Sequence, residues 1–417
     1  MHKENGKVFL FVPNAVLVSD INAFKLLNSY QLKKSLLYKA FDINNPTIFS
    51  TREKEYHSKR KRLLSPAFSA KQVGLMESLI LEMGTLNLVE HLDSQLNGEI
   101  INIRVNIYEL FYRSTLDVIS HLVFGESLHC IENPEEFKHY MKIISNIQKM
   151  FSLYPLFPIL KRLERPTKPF ERIVEENMRK RRENKSSHSD ILQSMMDTQD
   201  EDSGIKLRDD EIIDEAMTLL VAGFDTTSNS LIFTIYEVLK NPTIYNKLVA
   251  EILKEFPNPD AKITVEDCRK RLPLLEATIL ESFRFRPVAF GPITRIVPAG
   301  GVTIDGHFIP EGTLIALNSY AINYSEEHFP HASEFNIDKW LSPERETYKS
   351  KLYTFSSGPR SCIGRELAWM EMFLVLSHLL HRFELELVPD AKLTPVSRFL
   401  LSPKENSLYV NLKKRVF

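Results

Sequence analysis

From Arg208 to Lys240 apolar residues fall at Ile212, Ala216, Leu219, Leu220, Ile232, Ile235 and Leu239, the recurrence of one long helix. At about 1.5 Å of rise per residue such a helix spans roughly 50 Å, enough to cross a whole domain. A chain that contains it must wrap other elements around it. Helical periodicity over Gln72 to His91, Asn106 to Phe124, Pro134 to Met150, Thr243 to Phe256, Leu272 to Arg284 and Ile363 to His381 supplies the wrapping. Strand patterns are fewer. VFLFV and AVLVS flank a Pro-Asn turn at the start. Val302 to Ile304 and His307 to Ile309 flank Asp305-Gly306, a pair suited to the positive backbone angles of a tight hairpin, and Phe383 to Val388 and Ser407 to Leu412 add strands near the end. The predicted fold class is mainly α with a minor β region.

The middle of the long helix breaks its own pattern. Gly223, Asp225, Thr226, Thr227, Ser228, Asn229 and Ser230 are weak helix formers whose side chains compete for backbone groups. A conflict of this kind either decorates a polar surface or marks a place where function overrides stability.

Size and composition narrow the class. The 417 residues are 43% hydrophobic and 26% charged, enough apolar material for a large core, and are read as one domain over 1–417. A linker would sit in Arg179 to Gly204, which swings from basic to acidic through Ser and Asn clusters. The net charge of -1 gives no reason to expect nucleic acid as a partner. Cys130, Cys268 and Cys362 lie far apart without CxxC spacing, which speaks against a disulfide framework or a structural zinc site. No apolar run reaches the roughly 18 residues of a spanning helix, and the opening segment lacks a signal-peptide cleavage site.

One cysteine stands out. In FSSGPRSCIGRELAWMEMF, Cys362 lies in a glycine-bracketed loop leading into an amphipathic helix, where free N–H groups and the helix dipole favour S⁻ over SH. Gly358 and Gly364 let backbone approach a flat partner, Pro359 stiffens the turn, and Arg360 reaches toward an anion. Taken alone, an isolated cysteine is more simply a small buried hydrophobe.

Phe355, Gly358, Arg360, Cys362 and Gly364 together resemble the F-x-x-G-x-R-x-C-x-G haem loop of the cytochrome P450 family, and AGFDTT, Ala222 to Thr227, resembles its oxygen-activation motif. The resemblance implies haem b (iron protoporphyrin IX) held by Cys362 as axial ligand to the metal, a central helix bent over the haem, and Asp225 and Thr226 relaying protons. Glu281 and Arg284, at i and i+3, resemble the family's ExxR pair in the haem-side core. Lys339 in FNIDKW stands where an arginine usually completes that network, which should leave it looser or rearranged. The haem carboxylates should draw cations, and the family's positions correspond to Arg295 and Arg360. His57 and Lys61 stand where the family has Trp and Arg.

By the same resemblance the chain is a monooxygenase using O₂, with electrons from NADPH through NADPH-cytochrome P450 reductase, since no dinucleotide-binding pattern occurs. Lys59 to Arg62 with Arg365 offer that reductase a basic face. A lipophilic small-molecule substrate is implied, lined by Leu36 to Phe49, Met217, Leu220, Val221, Val288 to Ile293 and Arg398 to Leu401. Tyr154 to Leu160 suits a peripheral membrane contact. The late segments look most like filamentous-fungal members acting on secondary metabolites such as terpenoids or polyketides. Family members sit on the cytosolic face of the endoplasmic reticulum through an amino-terminal anchor that has no counterpart in this sequence. Three other readings differ in what they need: a non-catalytic haem or lipid binder does not couple to a reductase, a haem-thiolate isomerase works without O₂, and a cysteine hydrolase is colourless.

Overall fold

The structure, a computed structural model, describes residues 2–96, 101–153, 166–184, 188–289, 291, 293–398 and 400–417. The long helix runs from Asp209 to Lys240. Its start is fixed by the Glu211 carboxylate, which accepts the Arg208 backbone N–H (3.0 Å), and by Asp209 and Asp210 in the first turn; Lys240 complements the dipole at the far end. Pro242 then opens the next helix, Pro242–Glu255, where its missing N–H costs nothing.

The polar tract does not interrupt this helix. Thr226 Oγ1 donates to Ala222 O (2.6 Å), Ser228 Oγ to Phe224 O (2.5 Å), Asn229 Nδ2 to Asp225 O (2.8 Å), Ser230 Oγ to Thr226 O (2.8 Å) and Thr234 Oγ1 to Ser230 O (2.7 Å). The side chains expected to compete with the helix bond back onto its own carbonyls instead, and it stays α throughout. Gly223 faces the helix Ile107–Phe124, where a Cβ would come within 2.8 Å of Ile119, so a glycine there permits the two helices to pack closely.

The other predicted helices form close to where periodicity put them, including Pro134–Leu153, Pro273–Phe285 and Arg365–Arg382. Gln72 to His91 is the exception in detail. It divides into Ala70–Leu75, Glu77–Ile80, a π-turn Leu81–Leu86 and Asn87–Gln95. A Cβ on Gly84 would overlap Val118, so the distorted turn lies where this segment presses on Ile107–Phe124.

A five-stranded sheet orders Val8–Val12, Ala15–Val18, Leu314–Leu317, Ile293–Ile296 and Lys33–Lys34, all antiparallel except the Ala15–Val18 and Leu314–Leu317 pair. It covers a small core of Val18, Phe24, Leu27, Ile315 and Leu317, separate from the main helical core. Val302–Ile304 and His307–Ile309 pair as the expected hairpin, and Phe383–Leu387 joins Tyr409–Lys414 and Ile103–Asn106.

Arg179 to Gly204 is not a linker. Helices Lys168–Asn184 and Ile191–Asp197 occupy its described parts, and Arg181 and Asp190 form a buried bidentate ion pair at 2.8 and 2.5 Å. One pair of charges that read as solvated in sequence is thus paired inside, while Arg179 and Arg182 pair at the surface.

Candidate active site

Phe355 O accepts the Cys362 N–H (2.9 Å), which closes the loop back on itself before the helix Arg365–Arg382 begins. Gly358 holds φ +67°, and its Cα packs against Asn28 O; a Cβ would come within 3.3 Å of that carbonyl. The Phe355 ring meets Phe283 edge-on at 5.4 Å, and Phe283 meets Trp369, so the loop is pinned to the Glu281 helix and to its own following helix. Cys362 is enclosed by enough protein for burial to push its thiol pKa up, yet its side chain is accessible. Both are true of a thiol facing an internal open space. A Cβ on Gly364 would likewise meet nothing within 4 Å. The expectation that the helix start alone lowers the thiol pKa is not met: burial outweighs the Gly364 N–H, Arg365 and Lys61, which all act to lower it.

Beside this loop sits a group of cations. Lys61 Nζ donates to Pro359 O (2.8 Å) and Ser361 Oγ (3.3 Å), tying the helix Lys54–Leu64 to the cysteine loop. Arg360 donates to Thr51 O (3.1 Å) and its Nε is buried without a partner. Arg295 donates to Leu27 O (2.9 Å) and Thr294 O (3.0 Å). His57 Nδ1 bonds the Tyr30 hydroxyl (2.8 Å). Burial, then Arg360, Lys34, Lys61 and Arg295, hold the His57 pKa down to about 3, so the ring is neutral. Burial and Arg295 bring Arg360 down to about 10. Among the described residues, Lys34, His57, Arg295 and Arg360 make no ion pair with any carboxylate.

The predicted Glu281–Arg284 pair is fully buried and bidentate, at 2.9 and 2.7 Å. Arg284 also donates to Asn323 O, Ala332 O and Glu334 O, each at 2.8 Å, which fastens Pro273–Phe285 to the segment before the cysteine loop. Lys339 does reach Glu281, at 3.2 Å, while burial lowers its pKa. The network is rearranged rather than loose: Trp340 Nε1 (2.8 Å) and the Asn336 N–H (2.9 Å) fill the remaining acceptor positions of Glu281. Trp340 was not singled out in the sequence, although it directly follows Lys339.

On the central helix, Ala222 is exposed and Thr226 partly so, despite lying in the middle of a buried element. Asp225 is turned elsewhere. It accepts from the Tyr112 hydroxyl (2.8 Å), Asn229 Nδ2 (2.9 Å) and Gln148 Nε2 (3.2 Å), and burial raises its pKa against those donors. Asp225 and Thr226 do not hydrogen-bond each other.

Several other expectations are corrected. The run Lys59 to Arg62 is not an open basic face: Arg60 is buried against Glu211 (2.7 Å) and Glu215 (3.4 Å), and Arg62 pairs with Asp200 (2.8 Å). Arg365 bonds Glu366 (3.1 Å). Of the pocket residues, Met217 and Leu220 are packed into the main core, while Leu36 and Leu37 face outward. The Leu401 N–H donates to Val288 O (2.8 Å), which joins two of the predicted pocket segments. Tyr154 to Leu160 lies outside the described residues. No helix among the described residues is long and apolar enough to cross a membrane.

An accessible sulfur enclosed by protein, with cations close by that lack an acid, suits a flat metal macrocycle carrying carboxylate arms, and the class this defines is haem-thiolate. Comparison with known proteins agrees. The Cytochrome P450 family matches residues 10–410. Cytochrome P450 monooxygenase helB1 of Aspergillus fumigatus is 30% identical, over 94% of this chain and 69% of that protein, and cytochrome P450 monooxygenase ORF11 of Penicillium roqueforti is 30% identical, over 93% and 83%. The crystal structure of a cytochrome P450DA heme domain superposes with a TM-score of 0.83 at 22% identity, over 96% of this chain and 88% of that one. The chain belongs to the cytochrome P450 family; it is a monooxygenase, and its cofactor is haem.

Proposed function

We propose that the whole chain is one catalytic domain that hydroxylates a lipophilic small molecule of the kind met in fungal secondary metabolism, with Cys362 as the axial ligand. The overall change is RH + O₂ + 2e⁻ + 2H⁺ to ROH + H₂O, with electrons from NADPH through a cytochrome P450 reductase at the cytosolic face of the endoplasmic reticulum. When bound, haem would supply the oxygen-activating metal, made electron-rich by the Cys362 thiolate. The observation that carries this reading is the accessible Cys362 sulfur enclosed in protein beside unpaired cations.

Each residue then has a task. Cys362 would hold the iron as a thiolate, giving up the proton that burial otherwise favours. Gly358 and Gly364 keep side chains out of the space beside it, and Phe355 anchors the loop. Arg295 and Arg360 neutralise the cofactor's carboxylates, with neutral His57 and Lys61 supporting the same edge. Glu281, Arg284 and Lys339 hold the segment that precedes the loop. Thr226 offers a hydroxyl at an accessible point of the central helix. Asp225 holds the second acid–base group, which reaches that hydroxyl only by leaving one of its present donors or through water.

Cys362→Ala tests the ligand. The reduced carbon monoxide complex should lose its thiolate-type absorption; an unchanged spectrum means another residue binds the metal. A ligand panel read by the iron's spin-state change would then identify the substrate class.

A further inference from the structure

Along the central helix, Thr218, Val221, Ala222 and Thr226 stay partly or fully accessible in an element whose other residues are largely buried. They recur at i, i+3, i+4 and i+8, so a single face of the helix borders open space. Toward the amino end that face closes. Asp214 and Glu215, one turn before Thr218, are each only 1% exposed although both are acids. What covers them is the segment 44–48, which approaches from outside the helix.

The two acids hold that segment by its backbone. Asp214 takes one asparagine on each oxygen: the Asn44 N–H (3.3 Å) and Nδ2 (3.0 Å) on Oδ1, the Asn45 N–H (2.7 Å) and Nδ2 (2.9 Å) on Oδ2. Glu215 Oε1 accepts the Ile48 N–H at 2.9 Å. The Tyr56 hydroxyl donates to Pro46 O (3.0 Å), and the Thr47 N–H donates to Ser50 Oγ (2.8 Å), so every residue from 44 to 48 is tied. Burial raises the Glu215 pKa to about 8, against Arg60 and the Ile48 N–H. Near neutral pH it is therefore largely an uncharged acid whose Oε1 still accepts. Removing that acceptor strands a backbone N–H, and the segment then gains by moving off to find water.

We propose that Asp214 and Glu215 are positioning residues for specificity: they fix the segment 44–48 as the wall that ends the substrate space on this side, and so set how long a molecule the enzyme accepts. This rests on the placement of Cys362 and Thr226 proposed above. From Glu215 to Thr226 the helix rises about 16 Å. A molecule whose reacting carbon lies near Thr226 has that reach toward the wall and no more. Neither acid touches the substrate; both act through the segment they hold.

The test uses haem-loaded protein and a ladder of rigid probes, phenylimidazole, biphenylimidazole and terphenylimidazole, whose affinities are read from the shift of the haem absorption band on binding. Glu215→Ala removes the acceptor of the Ile48 N–H. It should bind terphenylimidazole on the order of tenfold more tightly than the parent, the change that loss of one buried hydrogen bond to the wall allows, and phenylimidazole equally well. Glu215→Gln, whose side-chain carbonyl still accepts that N–H, should give back the parent ladder. Hydrogen exchange of the Ile48 amide should quicken in Glu215→Ala and not in Glu215→Gln. An unchanged ladder in Glu215→Ala overturns the proposal, and so does an equal change for all three probes, which would mean a general loosening of the fold. If Glu215→Ala does not fold, Asp214→Ala, which releases the more accessible Asn44 and Asn45, carries the same measurements. A parent protein whose spectrum does not respond to phenylimidazole would instead sink the underlying haem-thiolate reading, and the proposal with it.

Discussion

Glu281 and Lys34 are both enclosed charges, and their surroundings are opposite. Around Glu281, two cations, an indole and a backbone amide converge on one carboxylate, and Arg284 spends its other donors on three carbonyls. Around Lys34, the charged neighbours Arg295 and Arg360 share its sign. The first cluster is complete within the chain, so it works as a brace. The second holds cations without an acid, and on the haem-thiolate reading proposed above the cofactor's carboxylates would complete it. Burial alone does not separate structural from functional charge; the balance of signs and spare donors does.

The largest expected effect attacks the brace. Glu281→Gln keeps the shape but leaves Arg284 and Lys339 buried without a countercharge, which should cost about 3–5 kcal/mol in denaturant unfolding. A loss below about 1 kcal/mol would show that water enters this region and that the contrast with Lys34 is false.

A smaller effect comes from the cation-rich side. Burial and its charged neighbours hold the His57 pKa down to about 3 from an ordinary 6.5. Below pH 6.5 the unfolded chain binds a proton that the folded chain refuses until about pH 3. Stability present above pH 6.5 is therefore lost as pH falls, by about 2 kcal/mol at pH 5 in haem-free protein. His57→Phe should remove that part of the acid dependence, measured as urea unfolding at pH 5 and pH 7. Haem-loaded protein should show less of it, because carboxylates beside the ring let it charge. Equal pH dependence with and without haem would mean that no anion enters the cluster.

Sequence made one of these regions visible and hid much of the other. The cysteine loop, AGFDTT and Glu281–Arg284 are local spacings, readable before any fold exists. Lys34 is one of two adjacent lysines, and only the long-range pairing with Arg295 turns one inward. Burial of Arg181 and Arg60 depends in the same way on Asp190 and Glu215, acids that are distant or unremarkable in sequence. The long helix was legible from periodicity. Its continuity through the polar tract was not, because back-bonding to carbonyls four residues earlier depends on rotamers rather than composition.

The smallest effect probes whether the brace lacks anything. Lys339→Arg installs the guanidinium that the family resemblance leads one to expect at this place, and an arginine fork usually strengthens a carboxylate contact. Glu281 already accepts two bonds from Arg284, one from Trp340, one from the Asn336 amide and one from Lys339. Two carboxylate oxygens offer about four lone-pair sites, so a second fork finds no free acceptor. The Lys339 ammonium also donates to Asn336 O at 2.7 Å, a bond the bulkier group would have to rebuild. The change should therefore shift stability by less than about 1 kcal/mol in either direction. A gain well above that would mean Glu281 was short of donors, and the two clusters would then differ in degree rather than in kind.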